Sequence, residues 1–297
     1  MRTLILNSSN IVPNTNNSVL FYKFPAGAVV LEQGQKLALS TLQMYYSNFN
    51  ITTTYNNNKF SYTWIDGTVV NIVIPDSFLD VEGINQYLRF IFVQNKHYYV
   101  NATGDFVYLI TFSINPSFYA VEVNCFETSS TIATNNGWVI PVGATWVNPV
   151  NIIVPILTVP ENFNKLIGFE VGSYPNAVIA GVPPNQTQTP AYTSTQIFLS
   201  TTSPQITPVS SFVLTCSLIN NNYAIPTNLL YSFSPVGNFG EQFSISPNQY
   251  MFIDVQNGQY SGFNCQFLDQ NLNPVSLQDP TITILLCISD AGEKLGL

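Results

Sequence analysis

Few residues of this 297-residue chain can gain or lose protons near neutrality, hold a metal or attack a carbonyl. There is one histidine, His97, and four cysteines, Cys125, Cys216, Cys265 and Cys287. The densest acid group is Asp76, Asp80 and Glu82. Two carboxylates from that group could in principle hydrolyse a glycosidic bond, one as acid and one as base or nucleophile. Asp80, however, stands where a helix N-cap belongs, so compensation of a first-turn dipole accounts for the cluster. His97 could join a Ser-His-Asp arrangement, but no G-x-S-x-G elbow accompanies it. The cysteines lie at least 22 positions apart, without C-x-x-C spacing, and a zinc site would need all four thiols to converge. Buried free thiols on strands are the expectation. The residues thus predict no catalytic site, no cofactor and no metal.

The elements that would position these groups read mostly as strands. Short apolar or alternating runs predict strands at 3–7, 18–24 and 28–31. A long strand follows at 36–50, whose two alternating residue sets exchange apolar character along its length, as in a strand that changes the face it buries. Asp66-Gly67 predicts a hairpin between 59–65 and 68–74. The period then becomes helical: Val81, Ile84, Leu88 and Ile91 predict one long helix over 80–95, capped by Asp80. Strands resume at 97–101, 106–114 and 118–126, and the Pro- and Gly-broken stretch 127–157 predicts only short or edge strands. Pro160 and Gly168 bracket about two helical turns. Repeated Gly and Pro make 171–190 the expected long exposed loop. Further strands are expected at 210–218, 229–233, 249–255, 262–269 and 281–288. Three main strands before residue 50 and five after 206 make eight, the number in a jelly roll. The reading is therefore all-β with minor helices: a single eight-stranded jelly roll over 1–51 and 206–297, with a mixed, mostly β insertion domain over 52–205.

Composition sets the functional class. Only 8% of the chain is charged, about a third of the usual ~25%, while 13% is aromatic. Amides and hydroxyls replace charge, as in Asn56-Asn57-Asn58 and Asn220-Asn221-Asn222. Such a surface repels copies of itself weakly, which suits a subunit packed against neighbours. A formal net charge of −8 offers no basic stripe for nucleic acid. No apolar run reaches the ~18 residues of a membrane span, and no signal-type hydrophobic segment opens the chain, so intracellular synthesis is expected. The sequons at Asn7, Asn16, Asn50, Asn101 and Asn185 are those that an Asn/Ser/Thr-rich chain produces by chance.

Several segments carry a resemblance. Leu4 to Asn10, the block Leu39-Ser40-Thr41-Leu42-Gln43-Met44-Tyr45-Tyr46-Ser47-Asn48-Phe49-Asn50-Ile51, and Tyr55 to Phe60 resemble the N-terminal part of minor capsid (penton) proteins of virophages and polinton-like viruses. Ile84 to Leu88, Lys165 to Phe169, Val213 to Asn221, Gln266 to Pro274 and Ile282 to Ile288 extend the likeness in order along the chain. The resemblance implies a jelly roll with an insertion domain and a homopentamer closing each vertex of an icosahedral shell. It also implies a major capsid protein as partner and the virion as location. Two compact barrels in a small, trimeric major capsid protein are the alternative architecture. A glycan-binding or host-attachment jelly-roll module is the alternative function, for which Trp64, Trp138 and Trp146 at loop positions would be the stacking surfaces.

Overall fold

The computed structural model describes residues 1–176, 192, 194–207, 209–290 and 292. Their regular elements are mostly β-strands with a few helices, and the chain divides into two units, Met1–Phe49 with Thr207–Leu297, and Asn50–Ile206. The first unit opens with β1 (Arg2–Asn7), β2 (Val19–Lys23), β3 (Val29–Leu31) and β4 (Lys36–Tyr45). The second holds β5 (Lys59–Thr63), β6 (Val69–Val73), helix α1 (Val81–Asn95), β7 (Tyr99–Val100), β8 (Phe106–Val107), β9 (Ile110–Asn115) and β10 (Ala120–Cys125). Helix α2 (Ser130–Asn135), β11 (Ile156–Val159), helix α3 (Phe163–Ile167), β12 (Gly172–Tyr174) and β13 (Gln196–Leu199) complete it. The first unit then resumes with β14 (Phe212–Cys216), β15 (Leu229–Phe233), β16 (Gln242–Ile245) and β17 (Ile253–Asp254). It ends with β18 (Gly258–Tyr260), β19 (Gly262–Asp269) and β20 (Ile282–Ser289).

Two larger antiparallel sheets, in the orders β1-β20-β4-β16 and β15-β14-β19-β2, and a small β18-β3 pair build the first unit. A ring contact between Phe233 and Phe243, centroids 6.1 Å apart, joins β15 of one sheet to β16 of the other. The long strand β4 does change the face it buries. Leu37 and Leu39 are buried in its first half, Leu42 and Met44 in its second, while Ser40 and Thr41 are only half-buried. Its register with β20 shows why: Leu285 opposes Thr41 and Leu286 opposes Leu39, so Ser40 is an extra residue, a β-bulge. One inserted residue reverses the inward set, because side chains alternate with period two. On the other edge of β4 the ladder is interrupted at the same place. Here β16 pairs with residues 42–45 and β17 with residues 36–37. The expected strand 249–255 is for that reason reduced to β17, and β16 takes up the pairing that sequence alternation alone did not locate.

In the second unit the sheets run β12-β11-β5-β6 and β13-β10-β9, with a small β7-β8 pair. The Asp66-Gly67 turn joins β5 to β6 as expected: Gly67 sits at φ +89°, Trp64 N donates to Thr68 O at 2.8 Å, and Thr68 N donates to Asp66 Oδ1 at 2.8 Å. Helix α1 begins where Asp80 Oδ1 accepts from Gly83 N at 2.7 Å and ends at Lys96 in the left-handed conformation. It buries Val81, Ile84, Leu88 and Phe92, and its buried Asn85 Oδ1 accepts from Phe112 N of β9 at 3.0 Å. Helix α3 stops at Gly168, φ +73°, and a Cβ there would lie 2.0 Å from the Thr202 carbonyl oxygen. Only glycine allows that approach, which is secured by Thr202 N donating to Gly168 O at 3.0 Å.

Three expectations in this unit are corrected. Residues 130–135 form helix α2 rather than extended chain, because Ser129 Oγ accepts from Ile132 N at 3.2 Å and Ala133 is buried beneath the turn. The run 106–114 is two strands, β8 and β9, parted where Leu109 turns fully inward. Of the expected loop 171–190, the first residues form β12, paired with β11, and residues 177–190 lie outside the described residues.

Candidate functional site

His97 is buried in the second unit, just past the cap of α1, where its backbone N–H donates to Phe92 O at 2.9 Å. Its ring lies parallel to Trp64, centroids 4.8 Å and planes 3° apart, and its Nδ1 shares a 2.8 Å hydrogen bond with the Tyr62 hydroxyl. Burial lowers its pKa to about 4, opposed in part by the negative charge of Asp66, so the imidazole is neutral at pH 7. Burial, aided by Asp66, likewise holds the Tyr62 hydroxyl protonated. Trp146 closes the cluster. It meets Trp64 edge to face at 5.4 Å, and its Nε1 donates to Lys96 O at 2.7 Å. This is a core histidine locked between aromatic rings and a helix end, with a structural hydrogen bond where a catalytic partner would sit.

The acids are engaged separately. Asp76 Oδ1 accepts from Thr53 N at 2.7 Å and from Thr53 Oγ1 at 2.9 Å, fixing the turn 53–56. Asp80 caps α1, and Glu82 in its first turn accepts a long hydrogen bond from Gln86 Nε2 at 3.5 Å. Each carboxylate thus answers a local backbone or helix-end requirement, which is a different arrangement from two carboxylates aimed at one substrate bond.

All four cysteines are buried free thiols. Cys125 Sγ donates to Tyr174 O at 3.5 Å, and burial pushes its pKa up to about 12. Cys216 and Cys265 face each other across β14 and β19, whereas Cys287 lies on β20 in the other sheet. Among the described residues no group of three or more His, Cys, Asp or Glu side chains could hold a metal ion, and no helix is long and apolar enough to cross a membrane.

The tryptophans are not displayed for stacking. Trp64 and Trp146 are in the core, and Trp138 is half-buried against the same cluster, 5.4 Å from Tyr99. Of the sequons, Asn50 is buried with its amide in use, and Asn185 lies outside the described residues.

A surface concavity of about 760 Å³ escaped the sequence reading. It lies in the first unit and is lined by Gln33, Gly34, Asn220, Asn222, Asp254, Val255, Gln256 and Asn257. Three connections supply these residues, β3 to β4, β14 to β15 and β17 to β18, so only the strand order brings them together. Its one carboxylate, Asp254, pairs with Lys36 Nζ at 3.8 Å. Amide carbonyls and N–H groups dominate the rest, a lining suited to hydrogen bonding and not to proton transfer. The Asn-run at 220–222 is the only sequence signal that pointed there.

No protein-family model matches the chain, and no curated protein does. The chain is similar to solved structures at low identity. It matches the crystal structure of the mavirus penton protein with a TM-score of 0.40 and 11% identity, over 97% of this chain and 98% of that one. A chain of the Sputnik virophage cryo-EM structure matches with a TM-score of 0.36 and 11% identity, over 97% of each chain. At that score and identity the likeness runs end to end but carries no argument about what the chain does.

Proposed function

We propose that this chain is a structural capsid protein, a penton subunit that closes the fivefold vertices of an icosahedral virion as a homopentamer. Its framework is a single eight-stranded jelly roll, with residues of about 52–205 inserted as a domain. The strand order of the first unit carries this reading. Counting β1, β2, β4, β14, β15, β16, β19 and β20 as first to eighth, one sheet runs first-eighth-third-sixth and the other second-seventh-fourth-fifth. Two interleaved Greek keys produce that order. Among its described residues the second unit does not repeat that order, having sheets of four and three strands, a small β7-β8 pair and three helices, which favours one jelly roll over the two barrels of a major capsid protein.

A fold by itself does not assign a function. The capsid role is favoured by the resemblance of the sequence to penton proteins, the weakly charged amide-rich composition, and a histidine and acids already committed to structural bonds. The partners are further copies of the chain and a major capsid protein. Light scattering on the purified protein tests the assembly: a mass about five times the 32.9 kDa subunit is expected. A monomer at high concentration counts against the reading, and a trimer favours the major-capsid alternative.

A second reading rests on the amide-lined concavity between β3–β4, β14–β15 and β17–β18. Side-chain amides and a carboxylate are the groups that pair with sugar hydroxyls. Binding on a glycan array that is lost in an Asn222→Ala, Gln256→Ala variant would support attachment through this surface.

A further inference from the structure

Cys216 of β14 and Cys265 of β19 are directly opposite residues of one antiparallel ladder. Ser217 N donates to Asn264 O at 2.9 Å, which makes 217 and 264 a hydrogen-bonded pair. Antiparallel ladders alternate, so 216 and 265 form a non-hydrogen-bonded pair, whose Cα atoms approach to about 4.5 Å with their side chains convergent. Disulfides span Cα separations of about 4.4–6.8 Å, and this position lies inside that range. Both side chains are fully buried. A thiol–thiol hydrogen bond with Cys216, together with burial, holds the Cys265 proton on well above the usual thiol range. The other two cysteines have no such neighbour in register: Cys125 opposes Ile110 and Gln196, and Cys287 opposes Thr3 and Ala38.

We propose that Cys216 and Cys265 are a modification site, a pair that closes into a reversible cross-strand disulfide when the chain folds in the presence of a low-molecular-weight disulfide such as oxidised glutathione. One cysteine loses its proton to solvent and attacks the glutathione disulfide, releasing one glutathione thiolate and leaving a mixed disulfide on the protein. The second thiolate attacks the protein sulfur of that bond, forming the Cys216–Cys265 bond and releasing the second glutathione. Two protein thiols are oxidised and one glutathione disulfide is reduced to two thiols. Full burial leaves no room for the mixed disulfide in the folded sheet, so exchange belongs to folding or to an opened state. Once formed, the bond staples β14 to β19 at the centre of one sheet and restricts the unfolded chain between them.

The test refolds the full chain from denaturant in a glutathione redox buffer and, separately, under full reduction. Expected after oxidative refolding is an intact mass lower by about 2 Da, one peptide pair joining Cys216 to Cys265, and a melting temperature several degrees above the reduced protein that reductant reverses. Cys216→Ala or Cys265→Ala should abolish the mass change, and Cys125→Ala or Cys287→Ala should leave it. Should the alanine variants fail to fold, thiol titration of the denatured wild-type protein decides: two reactive thiols after oxidative refolding support the pair. Four thiols, a bond through Cys125 or Cys287, or an oxidised form that melts below the reduced one would overturn it.

Discussion

The side-chain amide of Asn50 donates a 2.7 Å hydrogen bond to the carbonyl of Ile206, across 156 positions of sequence. These are the first and last residues of the second unit. The other amide N–H of Asn50 reaches Leu79 O at 2.8 Å, and its Oδ1 accepts from Leu79 N at 3.0 Å. Asn57 Nδ2 in turn donates to the Asn50 carbonyl at 2.8 Å. One buried amide therefore gathers the point where the chain enters the unit, the point where it leaves and the lead into α1.

Because the ends meet, replacing residues 50–206 by a short Gly/Ser linker should leave a first unit that still folds. Each doubling of linker length costs only about 0.6 kcal/mol of closure entropy. Circular dichroism and a cooperative melt check this; insoluble product at every linker length tried would contradict it. In the intact chain, Asn50→Ala strands buried backbone groups and should cost about 2–4 kcal/mol, read from denaturant titration.

The pKa of His97, lowered to about 4, fixes the sign of a pH effect. Between its unfolded value near 6.5 and about 4, the unfolded chain takes up a proton that the folded chain refuses, so stability falls as pH drops through that window. The loss between pH 7 and pH 5 should be about 2 kcal/mol. His97→Gln lacks the group and should lose that part of the slope while being less stable at pH 7, as the Trp64 stack is removed. Equal slopes for the two proteins in urea titrations would refute the assignment.

Gly168 and Gly67 both have positive φ, but their surroundings differ. A Cβ at Gly168 would lie 2.0 Å from Thr202 O, whereas at Gly67 nothing lies within 4 Å. Gly67→Ala should cost about 1 kcal/mol from backbone strain alone. Gly168→Ala should cost several-fold more, since it must also push apart the α3 end and residue 202; similar melting shifts for the two variants would show that the contact yields easily.

Because Leu285 opposes Thr41 and Leu286 opposes Leu39, deleting Ser40 removes the bulge of β4 and leaves a continuous ladder in which Leu37, Leu39, Leu42 and Met44 keep their shared face. The deletion should therefore preserve cooperative unfolding of the first unit, whereas deleting Gln43, which lies in regular pairing, puts Leu42 and Met44 on opposite faces and should abolish it. Loss of cooperative unfolding on deleting Ser40 would mean that the bulge itself is required.

What the sequence determined by itself was local. Asp66-Gly67 specifies its turn by the φ its second residue tolerates, Asp80 starts α1 by supplying an acceptor to free N–H groups, and Gly168 ends α3. The exchange of apolar character along 36–50 was legible because face and residue parity are linked in any strand. The sparse charge and single histidine were legible as counts. Tertiary structure decided everything that depends on which distant segments meet. Short elements such as β16 and α2 carry too few residues for a period to declare itself, and they exist because β4 and Ser129 offer partners. That His97 is a stacked core residue follows from Trp64 and Trp146, remote in sequence. The facing of Cys216 and Cys265, the amide-lined concavity and the Asn50–Ile206 closure follow from strand order and register, which no local pattern encodes because they are set by the shared burial of side chains far apart along the chain.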